Sequence, residues 1–115
     1  GKYYCFYSGG NYQNDSYGVD YLVADNIRGP WAEVGKHRGP QIVRSIPGKV
    51  FGPGHNSIVS SPDGKRDFLV YHAWNAARTD RQVWVDPIVW TPEGPRVERF
   101  RERIAEMSRE AKTNP

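Results

Sequence analysis

The sequence is poor in several features that stabilise or localise other small proteins. It has a single cysteine, Cys5, so no disulfide can form within the chain, and the aromatic run around it favours a buried structural thiol. No segment approaches the roughly 20 apolar residues of a membrane-spanning helix, and the first residues lack the series typical of a signal peptide. We therefore expect no membrane association. A chain that opens in the middle of a predicted strand is expected to be part of a longer protein.

The positive charge is not gathered into a stripe. The formal net charge is +3, but the arginines near the C-terminus alternate with glutamates. This alternation is typical of a solvated helix surface, whereas a nucleic-acid-binding surface needs a cluster of one sign. We therefore expect no nucleic-acid partner.

The composition favours an all-β fold in one domain. Among 115 residues there are 12 Gly and 9 Pro, and 13% of the residues are aromatic, which suits short strands and tight turns better than packed helices. The spacing of apolar residues becomes helical at the C-terminus. One apolar stripe of a helix is predicted there, formed by Phe100, Ile104, Met107 and Ala111. The sequence thus predicts an all-β part over residues 1–97 and an amphipathic helical tail over 98–115.

Two segments recur at nearly one spacing. Lys2–Ser8 (KYYCFYS) is similar to Arg66–His72 (RDFLVYH), 64 positions later, and Asn26–Pro30 (NIRGP) matches Thr91–Pro95 (TPEGP), 65 positions later. Two matches at nearly the same offset favour a duplicated unit of propeller-blade size. The alternative is chance similarity between two amphipathic hairpins, because strand composition is restricted.

Within each unit the pattern predicts strands joined by loops. The first unit gives strands at Lys2–Ser8, Tyr17–Ala24 and Trp31–Val34, with a polar loop at Gly9–Ser16. The second unit gives strands at Asn56–Ser60, Asp67–His72 and Gln82–Val89, with a turn at Ser61–Gly64 and a loop at Ala73–Asp80. The first unit has no match to the Asn56–Ser60 strand.

Several segments together resemble one known family. They are Gly52–Val59 (GPGHNSIV), Ser61–Gly64 (SPDG), Phe68–Trp74 (FLVYHAW), Asp86–Pro95 and Tyr4–Pro30. Their order is similar to that of the last two blades of glycoside hydrolase family 43, the arabinanase, arabinofuranosidase and β-xylosidase family. The resemblance covers 2–97 and implies about two blades of a five-bladed β-propeller. It further implies a parent enzyme that hydrolyses arabinose- or xylose-containing glycans with inversion.

The resemblance places the catalytic carboxylates outside this chain. Inversion needs an acid and a base carboxyl group about 6.5 to 9.5 Å apart. In the family these groups, and an aspartate that tunes the acid, precede the part matched here, and the acid is a glutamate in a Glu-Gly-Pro context. The only such triplet in this chain, Glu93–Pro95, follows the outer strand of the last blade and is interpreted as a turn. We expect no glycosidase activity from the chain alone; the alternative is a non-catalytic carbohydrate-binding or scaffold propeller fragment.

Two candidate site residues follow from the resemblance. His55 matches a histidine near the propeller axis, where many members bind calcium mostly through water; a histidine that only holds the loop by hydrogen bonds is the alternative. Arg81 looks like the arginine that reaches the sugar in several exo-acting members, and an arginine fork suits paired hydroxyls. A surface arginine at a strand start is the competing interpretation.

The remaining candidates rest on residue type and position. Tyr12 and Trp74, both predicted in loops, are interpreted as sugar-stacking platforms or as a cover for the core. His72 is expected to be a packed strand-end histidine, and His37 to be exposed in a basic linker. Two blades expose unpaired edges and apolar faces, so the chain is expected to associate with the missing blades or with itself.

Overall fold

The computed structural model describes residues 1–35 and 39–97, which form eight β-strands. The strands are β1 (Tyr3–Gly9), β2 (Gly18–Ala24), β3 (Ala32–Glu33), β4 (Val43–Arg44), β5 (Phe51–Ser60), β6 (Asp67–Trp74), β7 (Arg81–Thr91) and β8 (Gly94–Arg96). The all-β prediction is thereby confirmed for this part of the chain, in which no helix is long and apolar enough to cross a membrane. The helix predicted at 98–115 and the exposure expected of His37 fall outside the described residues.

The strands pair into two four-stranded antiparallel sheets. Sheet 1 has the order β1-β2-β3, with β4 also paired to β2, and sheet 2 has the order β5-β6-β7-β8. The predicted turn is present, with the Gly64 amide donating to the Ser61 carbonyl over 2.9 Å. Strand β5 begins at Phe51, ahead of the predicted Asn56, so the Gly-Pro-Gly segment is part of the strand. The short strands β4 and β8 were not predicted.

Each sheet contains a hairpin of the same register. Phe6 lies opposite Tyr21 in β1–β2, and 64 positions later Val70 lies opposite Val85 in β6–β7. All seven residue pairs of the first hairpin recur at this offset in the second. The similar segments Lys2–Ser8 and Arg66–His72 therefore occupy equivalent places in the two sheets. Among the described residues, sheet 1 contains no equivalent of β5.

A single core lies between the two sheets. Its buried members are Val19, Tyr21, Ile42, Val43, Val50, Leu69, Tyr71, Ile88 and Val97. At its rim the Trp90 ring lies 5.0 Å from the Tyr4 ring and 6.1 Å from the Phe6 ring, measured between centroids. These aromatic contacts join the end of β7 to the middle of β1, and so fix how the sheets stack.

The thiol of Cys5 is exposed, and the expectation that it is buried was wrong. Successive side chains of a strand point to opposite faces. Tyr4 and Phe6 point into the core, so Cys5 points away from it, together with Tyr3 and Tyr7.

One polar pair is buried inside this core. Asp86 has no solvent exposure and Tyr71 has 1%. The Tyr71 hydroxyl donates a hydrogen bond of 2.6 Å to Asp86 Oδ2. Because a buried carboxyl group without a partner is costly, this bond satisfies a group that water cannot reach.

Candidate functional site

A cavity of about 530 Å³ opens where the two sheets meet. The loop between β1 and β2 contributes one side, and the first halves of β5 and β7 with the end of β6 contribute the other. The lining residues are Gly10, Asn11, Tyr12, Tyr17, His55, His72 and Arg81. The cavity therefore exists only because both sheets are present, and it brings together three of the four predicted site residues.

Arg81 is the most constrained of these residues. It is the first residue of β7, and its guanidinium donates from Nε to His72 Nδ1 over 2.5 Å and from Nη2 to the carbonyls of Gly52 and His72 over 2.6 and 2.7 Å. Its Nη1 is buried and has no hydrogen-bond partner among the described residues. Arg81 is therefore a half-buried arginine held by three hydrogen bonds, and its fixed charge forms part of the cavity wall.

Three aromatic rings surround the same guanidinium. The Arg81 Cζ atom lies 5.1 Å from the ring centre of Trp74, 5.8 Å from that of Tyr17 and 6.0 Å from that of Tyr12. Contacts of this kind stabilise a cation by roughly 0.5–1 kcal/mol at exposed sites and more when water is excluded. The three rings thus add cation–π contacts to the hydrogen bonds that hold the arginine.

The two predicted aromatic platforms contact each other. Their rings stack at 6.3 Å between centroids and an interplanar angle of 23°, and Trp74 Nε1 donates to the Tyr12 carbonyl over 2.7 Å. Tyr12 lies in the β1–β2 loop as predicted, whereas Trp74 is the last residue of β6 and not a loop residue. Only Tyr12 of this pair lines the cavity, and Trp74 packs beside the arginine.

His72 is a packed histidine near the end of β6, as predicted. Because its Nδ1 accepts from Arg81, the ring nitrogen that carries the proton is Nε2. Burial lowers the pKa of His72 below its usual value, and the charges of Arg81 and His55 lower it further. The neutral imidazole is therefore the form that fits the hydrogen bond.

His55 lines the cavity from the irregular first half of β5. Its backbone is left-handed, with φ of 57°, and it lies in the second of two register shifts of β5 against β6, between Gly54 and Ser57. Its ring centroid lies 5.2 Å from that of His72. The next residue is tied to sheet 1, because the Asn56 amide donates to Ser8 Oγ over 3.1 Å. A left-handed backbone in a residue other than glycine is strained, and these contacts maintain it.

Two glycines of the Gly-Pro-Gly segment make room for this arrangement. Gly52 is left-handed, with φ of 58°, and its carbonyl accepts from Arg81. At Gly54, an added Cβ atom would overlap the ring of Tyr17. Sequence reasoning missed Tyr17 as a cavity residue, although the glycine spacing was a signal that another group approaches β5 closely.

Several carboxylates of the chain have structural partners. No Asp or Glu is among the described residues that line the cavity. Asp15 pairs with Arg78 over 3.2 Å, Asp63 accepts from Ser61 within its turn, and Glu93 pairs with Arg96 over 3.0 Å. The described side chains that line the cavity are therefore one cation, two imidazoles, two phenol rings and one amide.

Comparison with known proteins identifies the class as glycoside hydrolases. The profile of glycosyl hydrolases family 43 matches residues 1–95. A β-D-galactofuranosidase of Aspergillus niger is 32% identical over 97 residues, which are 82% of this chain and 27% of that protein. The chain belongs to glycosyl hydrolases family 43.

Solved structures agree with this assignment. A thermostable family-43 glycoside hydrolase has a TM-score of 0.71 and 35% identity, over 85% of this chain and 32% of that one. An α-L-arabinofuranosidase of Lactobacillus brevis has a TM-score of 0.62 and 28% identity, over 83% and 32% of the two chains. The chain thus spans about a third of the length of these relatives.

Proposed function

We propose that the chain forms two neighbouring blades of a five-bladed β-propeller and supplies one wall of the sugar pocket of a glycosidase. The repeated hairpin register and the face-to-face stacking of two four-stranded sheets support the propeller. The observation that carries the sugar pocket is the cavity between the two sheets, whose described lining combines the Arg81 guanidinium, held by three hydrogen bonds, with two tyrosine rings and two imidazoles.

The ligand is a glycan that contains arabinose or xylose. Because Nε and Nη2 of Arg81 already donate within the chain, the groups at the cavity that can exchange hydrogen bonds with pentose hydroxyls are the phenol hydroxyls and the imidazoles of its lining, beside the fixed charge of Arg81. Tyr12 supplies an aromatic face beside Arg81 on which the apolar side of a sugar ring packs. Apolar lining with a few placed polar groups is the usual composition of a small-molecule site.

Hydrolysis with inversion then requires carboxyl groups from the rest of the protein. The cavity offers donors and rings but no acid or base among its described lining residues. This composition also favours a second candidate function, a non-catalytic carbohydrate-binding or scaffold module. The two are separated by assaying a complete protein that contains this segment on aryl arabinosides and xylosides, which a glycosidase hydrolyses and a binding module does not. The chain alone is expected to be inactive under both, and a rate abolished by replacing one of its own carboxylates would contradict both.

Replacing Arg81 with lysine is expected to weaken pentose binding at least about tenfold, because the hydrogen bonds that tie the cavity wall at Gly52 and His72 to one planar group are lost. The measurement is an NMR titration of the chain with arabinose and with xylose. Arg66→Lys is the matched control, since Arg66 lies over the Phe68 ring on another surface. Equal affinity in the wild-type chain and in folded Arg81→Lys would contradict the proposal, as would the absence of any titration shift.

We also propose that His55 takes part in a calcium site only together with oxygen ligands from outside this chain. Residues 1–35 and 39–97 hold no group of three or more His, Cys, Asp or Glu side chains that could bind a metal ion. Calcium prefers six to eight oxygen ligands, so the donors at the cavity do not fit it by themselves. Calorimetry should detect no calcium binding to this chain, whereas His55→Ala should weaken it in a complete enzyme; unchanged affinity there would remove the role.

A further inference from the structure

Strand β5 contains a bulge at the cavity. Between Gly54 and Ser57 its pairing with β6 shifts by one residue, so that two residues of β5, His55 and Asn56, occupy the place of one residue of β6. A bulge of this kind leaves an extra residue without a ladder partner, and it commonly re-aims a side chain next to a functional site. The side chain concerned here is that of His55, which lines the cavity and has a left-handed backbone. Contacts outside the ladder must therefore hold the bulge in place.

The hydrogen bonds that the ladder does not provide come from sheet 1. The Ser8 hydroxyl accepts from the Asn56 amide over 3.1 Å and donates to Asn56 Oδ1 over 2.5 Å. Ser8 lies near the end of β1, 48 positions before Asn56, and both residues are half-buried. One hydroxyl thus satisfies the backbone and the side chain of the residue that follows His55. Where water has limited access, losing such a partner leaves a donor and an acceptor unsatisfied.

The hairpin of sheet 2 carries a polar residue with a comparable contact at the same place. In the common register, Ser8 is the equivalent of His72, 64 positions later. His72 accepts from Arg81 and so helps to hold a residue of the cavity wall. Ser8 is not among the described residues that line the cavity, but it is bound to the neighbour of His55. In both hairpins this position thus contacts the part of the chain that presents a cavity side chain.

We propose that Ser8 is a positioning residue of the cavity: through Asn56 it holds the bulge of β5, and the bulge holds the His55 ring in the cavity wall. A residue other than glycine leaves the left-handed conformation when its surroundings no longer impose it. Without the hydroxyl, residues 55 and 56 should relax towards ordinary strand geometry, in which the direction of each side chain changes. The effect expected on sugar binding rests on the proposed function, whereas the effect on the position of the His55 ring does not.

The first test is made without sugar. The ring centroids of His55 and His72 are 5.2 Å apart, so NMR of the wild-type chain should show a nuclear Overhauser effect between protons of the two rings. Ser8→Ala should lose this signal, and Ser8→Thr, which keeps a hydroxyl, should retain it. Ser60→Ala is the matched control, because Ser60 lies at the far end of β5 and donates to Asp67. An undiminished signal in folded Ser8→Ala, or no signal in the wild-type chain, would overturn the proposal.

A second variant tests the same contact from the other side. Asn56→Ala removes the oxygen that accepts from the Ser8 hydroxyl, but it keeps the backbone amide that donates to it. It should therefore reduce the signal between the two imidazoles, and reduce it less than Ser8→Ala. Circular dichroism checks that each variant is folded. If Ser8→Ala does not fold, Asn56→Ala decides the question, since a signal as strong as in the wild-type chain would contradict the role of Ser8.

Pentose binding provides the third test. In an NMR titration with arabinose and with xylose, Ser8→Ala should bind about three- to tenfold more weakly than the wild-type chain. Ser8→Thr and Ser60→Ala should bind with nearly the wild-type affinity. Equal affinity in the wild-type chain and in folded Ser8→Ala would refute the positioning of a sugar-binding wall by Ser8. If the wild-type chain shows no titration shift, the proposed sugar pocket fails, and the signal between the imidazoles still decides whether Ser8 positions His55.

Discussion

Gly54→Ala is expected to lower the free energy of unfolding by about 3 kcal/mol, at the upper end of the range for overpacking a closely packed position. The new methyl group would occupy the place of the Tyr17 ring, which belongs to the β1–β2 loop. Either the ring leaves or β5 moves away from sheet 1. Because Tyr17 also lines the cavity and lies 5.8 Å from the Arg81 guanidinium, pentose binding should weaken in the same variant.

A double-mutant cycle isolates this cause. In a Tyr17→Ala background the methyl group has room, so adding Gly54→Ala should cost less than about 1 kcal/mol. The measurement is urea denaturation of the four proteins. If Gly54→Ala lowers the free energy of unfolding equally with and without the Tyr17 ring, then overlap with that ring is not the cause. The loss would then come from the changed backbone freedom of residue 54.

Tyr71→Ala is expected to cost about 4 kcal/mol, because it removes a ring from the centre of the core and leaves a cavity. Tyr71→Phe keeps the ring and removes only the hydroxyl that donates to Asp86, so it should cost about 2 kcal/mol. Since small domains have total stabilities of only about 5–15 kcal/mol, the alanine variant is expected to be near the limit of folding.

Asp86→Asn provides the matched control for this pair. The asparagine side chain keeps an acceptor oxygen for Tyr71, so it should lose less stability than Asp86→Ala. Combining Tyr71→Phe with Asp86→Ala should cost less than the sum of the two single changes, because each of them removes the same hydrogen bond. Strict additivity in thermal or urea denaturation would show that the 2.6 Å contact contributes nothing to stability.

The sequence predicted the parts of the fold that leave a local pattern. Alternation and turn residues gave the long strands, and the 64-residue offset predicted hairpins that turn out to share one register. Strands β4 and β8 contain two and three residues, too few for a period, and their pairing depends on neighbours distant in sequence. Strands β4 and β8 therefore could not be predicted from the sequence.

The site was predicted less completely, for a physical reason. Alternation shows that Cys5 and Phe6 face opposite ways, but it does not show which face another sheet covers, so the thiol was assigned to the wrong side. Arg81 was singled out by resemblance alone. Its hydrogen bonds to Gly52 and His72 join residues 29 and 9 positions away, and no local pattern encodes such distances.

The shared register of the two hairpins has a consequence for how a series of such units ends. In the propeller that we propose, each unit covers the unit before it and is covered by the unit after it. Open repeat arrays end in terminal repeats of polar composition, whereas a propeller closes on itself and leaves only short edges. We therefore expect the exposed Val83 and Val85 to be covered by another blade in a complete protein, where closure of the circle takes the place of a cap.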